Sequence, residues 1–216
     1  YAAQRRLQID RKRANPHQVY GRPFGSDTVY LSVVDDEGNA CSLINSNYMG
    51  FGTGILPPGW GFTLHNRGQN FTLQEGHPNA PAPGKRPYHT IIPALATYGD
   101  DDALFASFGV MGGFMQPQGH VQVMIGLADD GLDPQSALDR PRFYLEGGQP
   151  GAQVALEKGM PRSTIKKLAA MGHDVTSVAG FDRAIFGRGH IVVQDRSNGV
   201  LWGGSDPRGD GCAMSL

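Results

Sequence analysis

A pair of strand-like runs that begins at Thr28 constrains the fold more than any other part of the sequence. The segment reads TVYLSVVDDEGNACSLINSNY, in which two runs rich in β-branched and aromatic residues flank the polar residues 35–39. Asp and Gly in such a connection favour a tight turn between antiparallel strands. The sequence therefore predicts a β-hairpin whose first strand starts at Thr28. Cys41 falls in the second run, where we expect a small, buried thiol.

Strand-like segments predominate in the rest of the chain as well. Further strands are predicted at residues 90–98, 103–108, 153–157, 190–194 and 200–203. Helices fit best at residues 116–128, where Pro117 stands in the first turn, and at residues 162–171, which Gly172 follows. Many strands with a few helices to cover them indicate a layered α+β fold rather than a parallel, doubly wound sheet.

The charge and hydropathy of the chain exclude several kinds of partner. Of the 216 residues, 19 are Lys or Arg and 20 are Asp or Glu, so that the net charge is -1. No global positive field therefore favours nucleic acid or an anionic membrane. No apolar run approaches the roughly 18 to 20 residues that a membrane span requires. A small-molecule partner is the prediction.

The sequence holds no recognisable metal or cofactor motif. Its seven histidines are scattered, and neither an H-E-x-x-H motif nor a paired-cysteine motif occurs. A P-loop and a G-x-S-x-G elbow are also missing from the sequence. We therefore predict no metal and no cofactor.

Gly112 and Gly113 follow the strand-like run LFASFGV and precede the helix predicted from residue 116. Their backbone N–H groups can point into one pocket beside the positive end of that helix, an arrangement that stabilises an oxyanion. Glycine suits this position because a side chain would block the approach of a substrate carbonyl. On its own, however, a glycine pair is also typical of an ordinary turn.

Several motifs occur in an order that points to one family. GSDTVYLSVVDDEGNA is followed by GFGTGI, KRPYHT, GVMGGF, RPRF, LEKG and SDPR. Over residues 28–211 this series resembles the small, catalytic subunit of the gamma-glutamyltransferases, which are N-terminal-nucleophile hydrolases. The resemblance implies a four-layer αββα sandwich, of which this chain supplies the small-subunit part. Residues 1–27 would then be the end of the large subunit, and residues 28–216 the catalytic region.

By position, Thr28 matches the nucleophile of this family, and the resemblance implies that the precursor cuts itself between Asp27 and Thr28. A threonine hydroxyl needs a base, and the α-amine freed by the cut can take its proton. An uncut chain has an amide there and should be inactive. Ser46 matches a hydroxyl residue that hydrogen-bonds the nucleophile, with Ser in place of the usual Thr. Gly112 and Gly113 match the oxyanion pair.

The substrate pocket departs from the family pattern. Typical members have an acidic residue for the substrate's α-ammonium and two serines for its α-carboxylate, whereas this chain has Asn70, His89 and Thr90 at those positions. Without the acidic residue, an ammonium loses a charge-assisted partner. Arg67, His89 and Thr90 can instead hold a small anion, because Arg offers a rigid donor fork and the others add donors. This version resembles the branch that includes oxamate amidohydrolase, so we expect a small carboxylate-bearing amide as substrate.

Two other functions stay open at this point. One is true glutathione hydrolysis or gamma-glutamyl transfer, with Asn70 as a neutral partner for the ammonium. The other is an unprocessed homologue that acts only as a binding protein. The resemblance makes the large subunit of the same precursor the expected protein partner, and without it one side of the sheets should expose apolar surface. The closing SDPRGDG is interpreted as a structural turn.

Overall fold

The computed structural model describes residues 28–145 and 152–215, which form an α+β fold of stacked sheets and helices. Strands β1 (Thr28–Val34) and β2 (Ala40–Ser46) form the predicted antiparallel hairpin, in which Thr28 stands directly opposite Ser46. The Asp35 side chain closes the turn by accepting hydrogen bonds from the amides of residues 37 and 39. These bonds lower the pKa of Asp35, chiefly through Asn39.

A four-stranded antiparallel sheet forms the centre of the structure. It contains β3 (Ala94–Thr97), β4 (Leu104–Met111), β8 (Arg188–Gln194) and β9 (Leu201–Ser205), in the order β3-β4-β8-β9. Helices α1 (Met115–Ala128) and α2 (Pro134–Asp139) cover one face. Alternate residues of β4 and β8 pack against these helices in a core that comprises Ala106, Phe108, Val110, Val123, Leu127, Ala137, Leu138 and Ile191. The hairpin lies on the other face of the sheet.

A smaller sheet completes the described part of the chain. It contains β5 (Phe143–Leu145), β6 (Val154–Glu157) and β7 (Val175–Val178), and helix α3 (Arg162–Ala170) connects the parallel strands β6 and β7. Two 3-10 segments, Arg67–Asn70 and Gly180–Phe186, lie in the long connections. The sequence did not predict β5, β7 or α2, which have three, four and six residues and therefore little periodic signal.

The outer face of the hairpin is apolar and uncovered. Val29, Leu31 and Val33 point away from the central sheet and are 60%, 54% and 47% exposed, and Leu43 lies beside them at 46%. Cys41 belongs to the same face and is exposed, so the expectation of a buried thiol was wrong. The alternation of the second strand was correctly recognised, but the hairpin packs against the central sheet through the face opposite Cys41. The expected exposure of apolar surface is therefore observed.

Among the described residues, no helix is both long enough and apolar enough to cross a membrane. Residues 1–27, including Asp27 at the predicted cleavage site, lie outside the described residues.

Candidate active site

The first residue of β1 carries a hydroxyl that meets a second hydroxyl from the end of β2. The Oγ1 atom of Thr28 lies 2.8 Å from the Oγ atom of Ser46, because the hairpin register makes the two residues direct neighbours. Thr28 is buried, and Ser46 also accepts a hydrogen bond from the amide of Tyr48 at 3.0 Å. Tyr48 has a φ of +78°, an uncommon conformation for a residue with a side chain. The tight turn thus fixes the Ser46 hydroxyl beside Thr28.

The inner face of β1 is fastened to the central sheet by polar contacts. Ser32 donates to the hydroxyl of the fully buried Ser107 on β4 at 2.6 Å. Two residues along β1, the Tyr30 ring packs so closely against Gly109 that a side chain there would collide with it. Tyr30 also stacks on His190 of β8, with ring centroids 6.1 Å apart. Ser32 thus faces Ser107, and Tyr30 faces Gly109. The same two-residue spacing places Thr28 beside Met111 of β4.

A buried arginine stands on the β2 side of this hydroxyl pair. Arg67 is only 5% exposed, and its Nε donates to the Oγ1 atom of Thr90 at 3.0 Å. Its Nη2 donates to the backbone carbonyl of Ser46 at 3.4 Å, and its guanidinium lies over the Tyr48 ring. Within the described part of the chain, no carboxylate lies within ion-pair distance of Arg67. A buried cation with only neutral partners suits an anionic ligand.

Asn70 and His89 are close to Arg67 and Thr90. The Asn70 amide donates to the backbone carbonyl of Tyr88 at 3.1 Å, which ties the 3-10 segment to the loop that precedes β3. His89 is exposed overall. Partial desolvation of its ring and the charges of Arg67 and Arg86 lower its pKa. The structure therefore brings together the four residues predicted to bind substrate. Their role in binding stays a prediction.

The glycine pair lies immediately after β4, at the same end of the sheet as Thr28. Gly112 and Gly113 have φ angles of +145° and +61°, which side chains rarely tolerate. Their carbonyls accept from the amides of Met115 and Gln116 and so begin α1. Within residues 28–145 and 152–215, neither glycine amide donates a hydrogen bond. Two backbone donors beside a helix start remain available for a ligand.

Gln116, which no sequence motif pointed to, links the glycine turn to the arginine site. This side chain is 1% exposed, its Nε2 donates to the carbonyl of Thr90, and its Oε1 accepts from the amide of Ile92 at 3.0 Å. His120 supports the same segment, since its two ring nitrogens lie 2.6 Å and 2.7 Å from the carbonyls of Gln116 and Ile92. Helix α1 therefore holds the segment that carries Thr90.

The C-terminal SDPR motif belongs to a buried ionic network. Asp206 accepts from Arg142 at 2.7 Å and from the backbone amide of Gly189 at 2.9 Å. Arg208 pairs with Asp206 at 3.0 Å and also with Glu157, and all four charged side chains are almost fully buried. Arg142 further donates to the carbonyls of residues 186 and 187. The network joins α2, β6 and the start of β8, which agrees with the structural interpretation of this motif.

No cluster of three or more His, Cys, Asp or Glu side chains suited to a metal ion is present among the residues that the structure describes.

The stacked sheets, the hydroxyl at the first position of β1 and the two glycine amides that donate no hydrogen bond within the described residues agree with the class of N-terminal-nucleophile hydrolases. Comparison with known proteins gives the family. The gamma-glutamyltranspeptidase family model matches residues 1–216, and the chain belongs to that family.

Three similar proteins illustrate its range. The chain is 37% identical, over 90% of its length, to the glutathione hydrolase-like YwrD proenzyme of Bacillus subtilis. It is 39% identical, over 87% of its length, to the oxamate amidohydrolase proenzyme of Klebsiella pneumoniae. A crystal structure of cephalosporin acylase from Bacillus halodurans is 45% identical over 96% of this chain, with a TM-score of 0.75. The chain spans 37%, 35% and 36% of these three proteins, respectively.

Proposed function

We propose that the protein is an N-terminal-nucleophile amide hydrolase or acyltransferase with Thr28 as its nucleophile. The observation that carries the proposal is the 2.8 Å contact between the Thr28 and Ser46 hydroxyls at the start of β1. A strand that begins with the nucleophile presents its α-amine and its hydroxyl on one residue, so that base and nucleophile need no further alignment. Cleavage of the bond between Asp27 and Thr28 frees this amine.

The reaction then has two steps. The Thr28 amine takes the hydroxyl proton as Oγ1 bonds to the amide carbonyl carbon, and the amides of Gly112 and Gly113 hold the resulting oxyanion. Collapse of this intermediate breaks the C–N bond, and the amine leaves with the proton. Water or a second amine attacks the acyl ester, gives its proton to the Thr28 amine and restores the Thr28 hydroxyl. Ser46 orients the Thr28 hydroxyl throughout.

We infer that the acyl group of the substrate carries a carboxylate and lacks an ammonium. Arg67 supports this inference because it is a buried cation that meets no carboxylate among the described residues. Thr90 and His89 add neighbouring donors, whereas Asn70, at the position expected for an ammonium partner, is neutral and donates to a backbone carbonyl. An acid–amide of the oxamate type fits this set.

Glutathione hydrolysis is the second candidate. It is favoured by the name of the Bacillus subtilis relative and by the amide oxygen of Asn70, which can accept from an ammonium. Rates on oxamate, glutathione and a gamma-glutamyl anilide separate the two candidates. Faster turnover of oxamate supports the first, and faster turnover of either gamma-glutamyl compound supports the second.

We also propose that the large subunit of the same precursor covers the outer face of the hairpin. Val29, Leu31 and Leu43 leave on this face an apolar strip that a stable protein normally buries.

Thr28→Ala tests the mechanism in the full precursor. We expect the variant to remain uncut by intact-mass measurement and to lose turnover completely, because both steps need the hydroxyl. Thr28→Ser is the matched control, since it keeps the hydroxyl and should still mature, though more slowly. If the Thr28→Ala variant matures and hydrolyses amides, the proposed mechanism is wrong. A stable, uncut wild-type chain would favour the binding-protein alternative.

A further inference from the structure

The groups proposed to hold the oxyanion and those proposed to hold the acyl carboxylate come from different parts of the chain. The glycine turn follows β4, whereas Thr90 lies in the loop before β3. Gln116 contacts both parts. Its backbone amide donates to the carbonyl of Gly113 at 3.1 Å, and its side-chain amide donates to the carbonyl of Thr90. Its Oε1 atom accepts from the amide of Ile92 at 3.0 Å.

The chain of contacts continues from Thr90 to the buried arginine. The Thr90 hydroxyl accepts from the Nε atom of Arg67 at 3.0 Å. Gln116, Thr90 and Arg67 are 1%, 4% and 5% exposed, and hydrogen bonds between buried groups are stronger than those that water can replace. One glutamine therefore connects the glycine turn to the guanidinium through Thr90.

An aromatic pair forms a second bridge between the same two segments. Phe114 directly follows Gly113, and Tyr88 lies two residues before Thr90. The two rings stack, with their centroids 5.9 Å apart and their planes inclined by 22°. Both rings are partly exposed, so this bridge lies toward the surface, whereas Gln116 lies in the interior. Two bridges restrict the movement of one segment relative to the other.

Helix α1 gives Gln116 a rigid base. A side chain at Gly119 would collide with Val110, so the helix lies close against β4, the strand that the glycine turn follows. His120 holds the other segment, because its ring nitrogens lie 2.6 Å and 2.7 Å from the carbonyls of Gln116 and Ile92. The distance between the two proposed half-sites therefore depends on buried contacts of α1.

We propose that Gln116 is a positioning residue that fixes the distance between the glycine amides and Arg67, and that the enzyme thereby selects the length of the acyl chain. In an acyl group that bears a carboxylate, the number of methylene groups sets the separation between the carbonyl oxygen and the carboxylate. Only one length reaches both half-sites at once, because neither half-site moves toward the other. This inference rests on the proposed amidase function and narrows its substrate class, with the carboxylate attached directly to the reacting carbonyl.

Amides of increasing length test this role in the complete, processed enzyme. Oxamate, malonamate and succinamate differ only in the number of methylene groups between carboxylate and amide. We expect the wild type to prefer oxamate by about 100-fold in kcat/KM, since a misplacement of about 1 Å costs a factor of that order. Gln116→Met keeps the approximate size of the side chain but not its hydrogen bonds, and it should reduce this preference to about 10-fold or less.

Gln122→Met is the matched control. Gln122 lies further along α1 and bonds both backbone groups of Phe143, at 2.9 Å and 3.0 Å, so its replacement removes the same kind of contacts outside the site. This variant should keep the wild-type preference. Phe114→Leu removes the partly exposed aromatic bridge without disturbing the interior, and it should reduce the preference by about threefold.

Calorimetric binding of oxalate, malonate and succinate separates this proposal from the amidase mechanism, because it needs no turnover. In each diacid, one carboxylate can bind Arg67 while the other accepts from the glycine amides. A preference for one diacid that is lost in Gln116→Met supports the positioning role even if no amide is cleaved. Equal binding of all three by the wild type contradicts it.

An unchanged preference in Gln116→Met also overturns the proposal, and so does an equal loss of preference in Gln122→Met, which would show a general effect of helix stability. Should Gln116→Met fail to fold, Phe114→Leu decides. A reduced preference in that variant supports the fixed distance, and an unchanged one contradicts it.

Discussion

Arg67 and Arg142 are both almost fully buried, yet their surroundings differ. Arg142 pairs with Asp206 and donates to three backbone carbonyls, whereas Arg67 has the Thr90 hydroxyl, one carbonyl and the Tyr48 ring. Burial lowers the pKa of Arg142 in spite of Asp206 and Glu157. A buried charge is costly unless it is paired. The carboxylate partner marks Arg142 as part of the fold, although its Nε donates no hydrogen bond within the described residues, whereas the lack of a described carboxylate beside Arg67 suits a binding site.

The largest effect should come from breaking the paired cluster. Asp206→Ala leaves Arg142 and the Gly189 amide without their acceptor, and we expect the free energy of unfolding to fall by about 3 to 5 kcal/mol. Chemical denaturation measures this loss. Asp100→Ala is the matched control, because it removes an exposed carboxylate, paired with Arg196, whose loss should change stability far less. Equal losses in the two variants would contradict a structural role for the cluster.

Removing the incompletely paired arginine should affect catalysis more than stability. We expect Arg67→Gln to lower kcat/KM for a carboxylate-bearing acyl group by about 10-fold to 100-fold, because one charge-assisted contact contributes about 1.5 to 3 kcal/mol. The variant should lose less stability than Asp206→Ala. An amide with an uncharged acyl group serves as the control substrate and should react equally well with both enzymes. A loss of stability as large as that of Asp206→Ala, without substrate selectivity, would place Arg67 in the fold instead.

The sequence predicted the hairpin well because its signal is local. Two alternating runs and a five-residue polar connection place Thr28 opposite Ser46 with no long-range information. Family resemblance, rather than periodicity, pointed to Arg67 and Thr90, which are 23 residues apart and meet through a loop. Their contact depends on the way in which that loop folds back onto the sheet.

Other parts of the site had no local signal. Gln116 looks like an ordinary polar residue in the first turn of a helix, and only the tertiary packing buries it between residues 90 and 92. Strand β8 was predicted to start at residue 190, two residues after its observed start. Cys41 was misjudged because alternation identifies two faces but does not say which one is covered. The order of strands and helices was therefore easier to predict than which of their faces are buried.

The smallest effect concerns His89, which lies near the positive charges of Arg67 and Arg86. Desolvation of the ring and the charges of Arg67 and Arg86 lower the pKa of His89, which favours the neutral imidazole in the free enzyme. A bound carboxylate favours the imidazolium and raises this pKa, so affinity should increase as the pH falls through the range between the bound and free values and then level off. Because His89 is exposed, we expect at most about a fivefold change.

Competitive inhibition by oxalate, followed from pH 8 to pH 5 (about the range in which histidines titrate), measures the effect of His89 on affinity. The inhibition constant should fall toward acid in the wild type and stay flat in His89→Asn. If both enzymes show the same slope, the proton belongs to another group, and the Thr28 amine is then the first to examine. A wild-type constant that rises toward acid would mean that the imidazolium repels the ligand, and Arg67 would then not be the centre of an anion site.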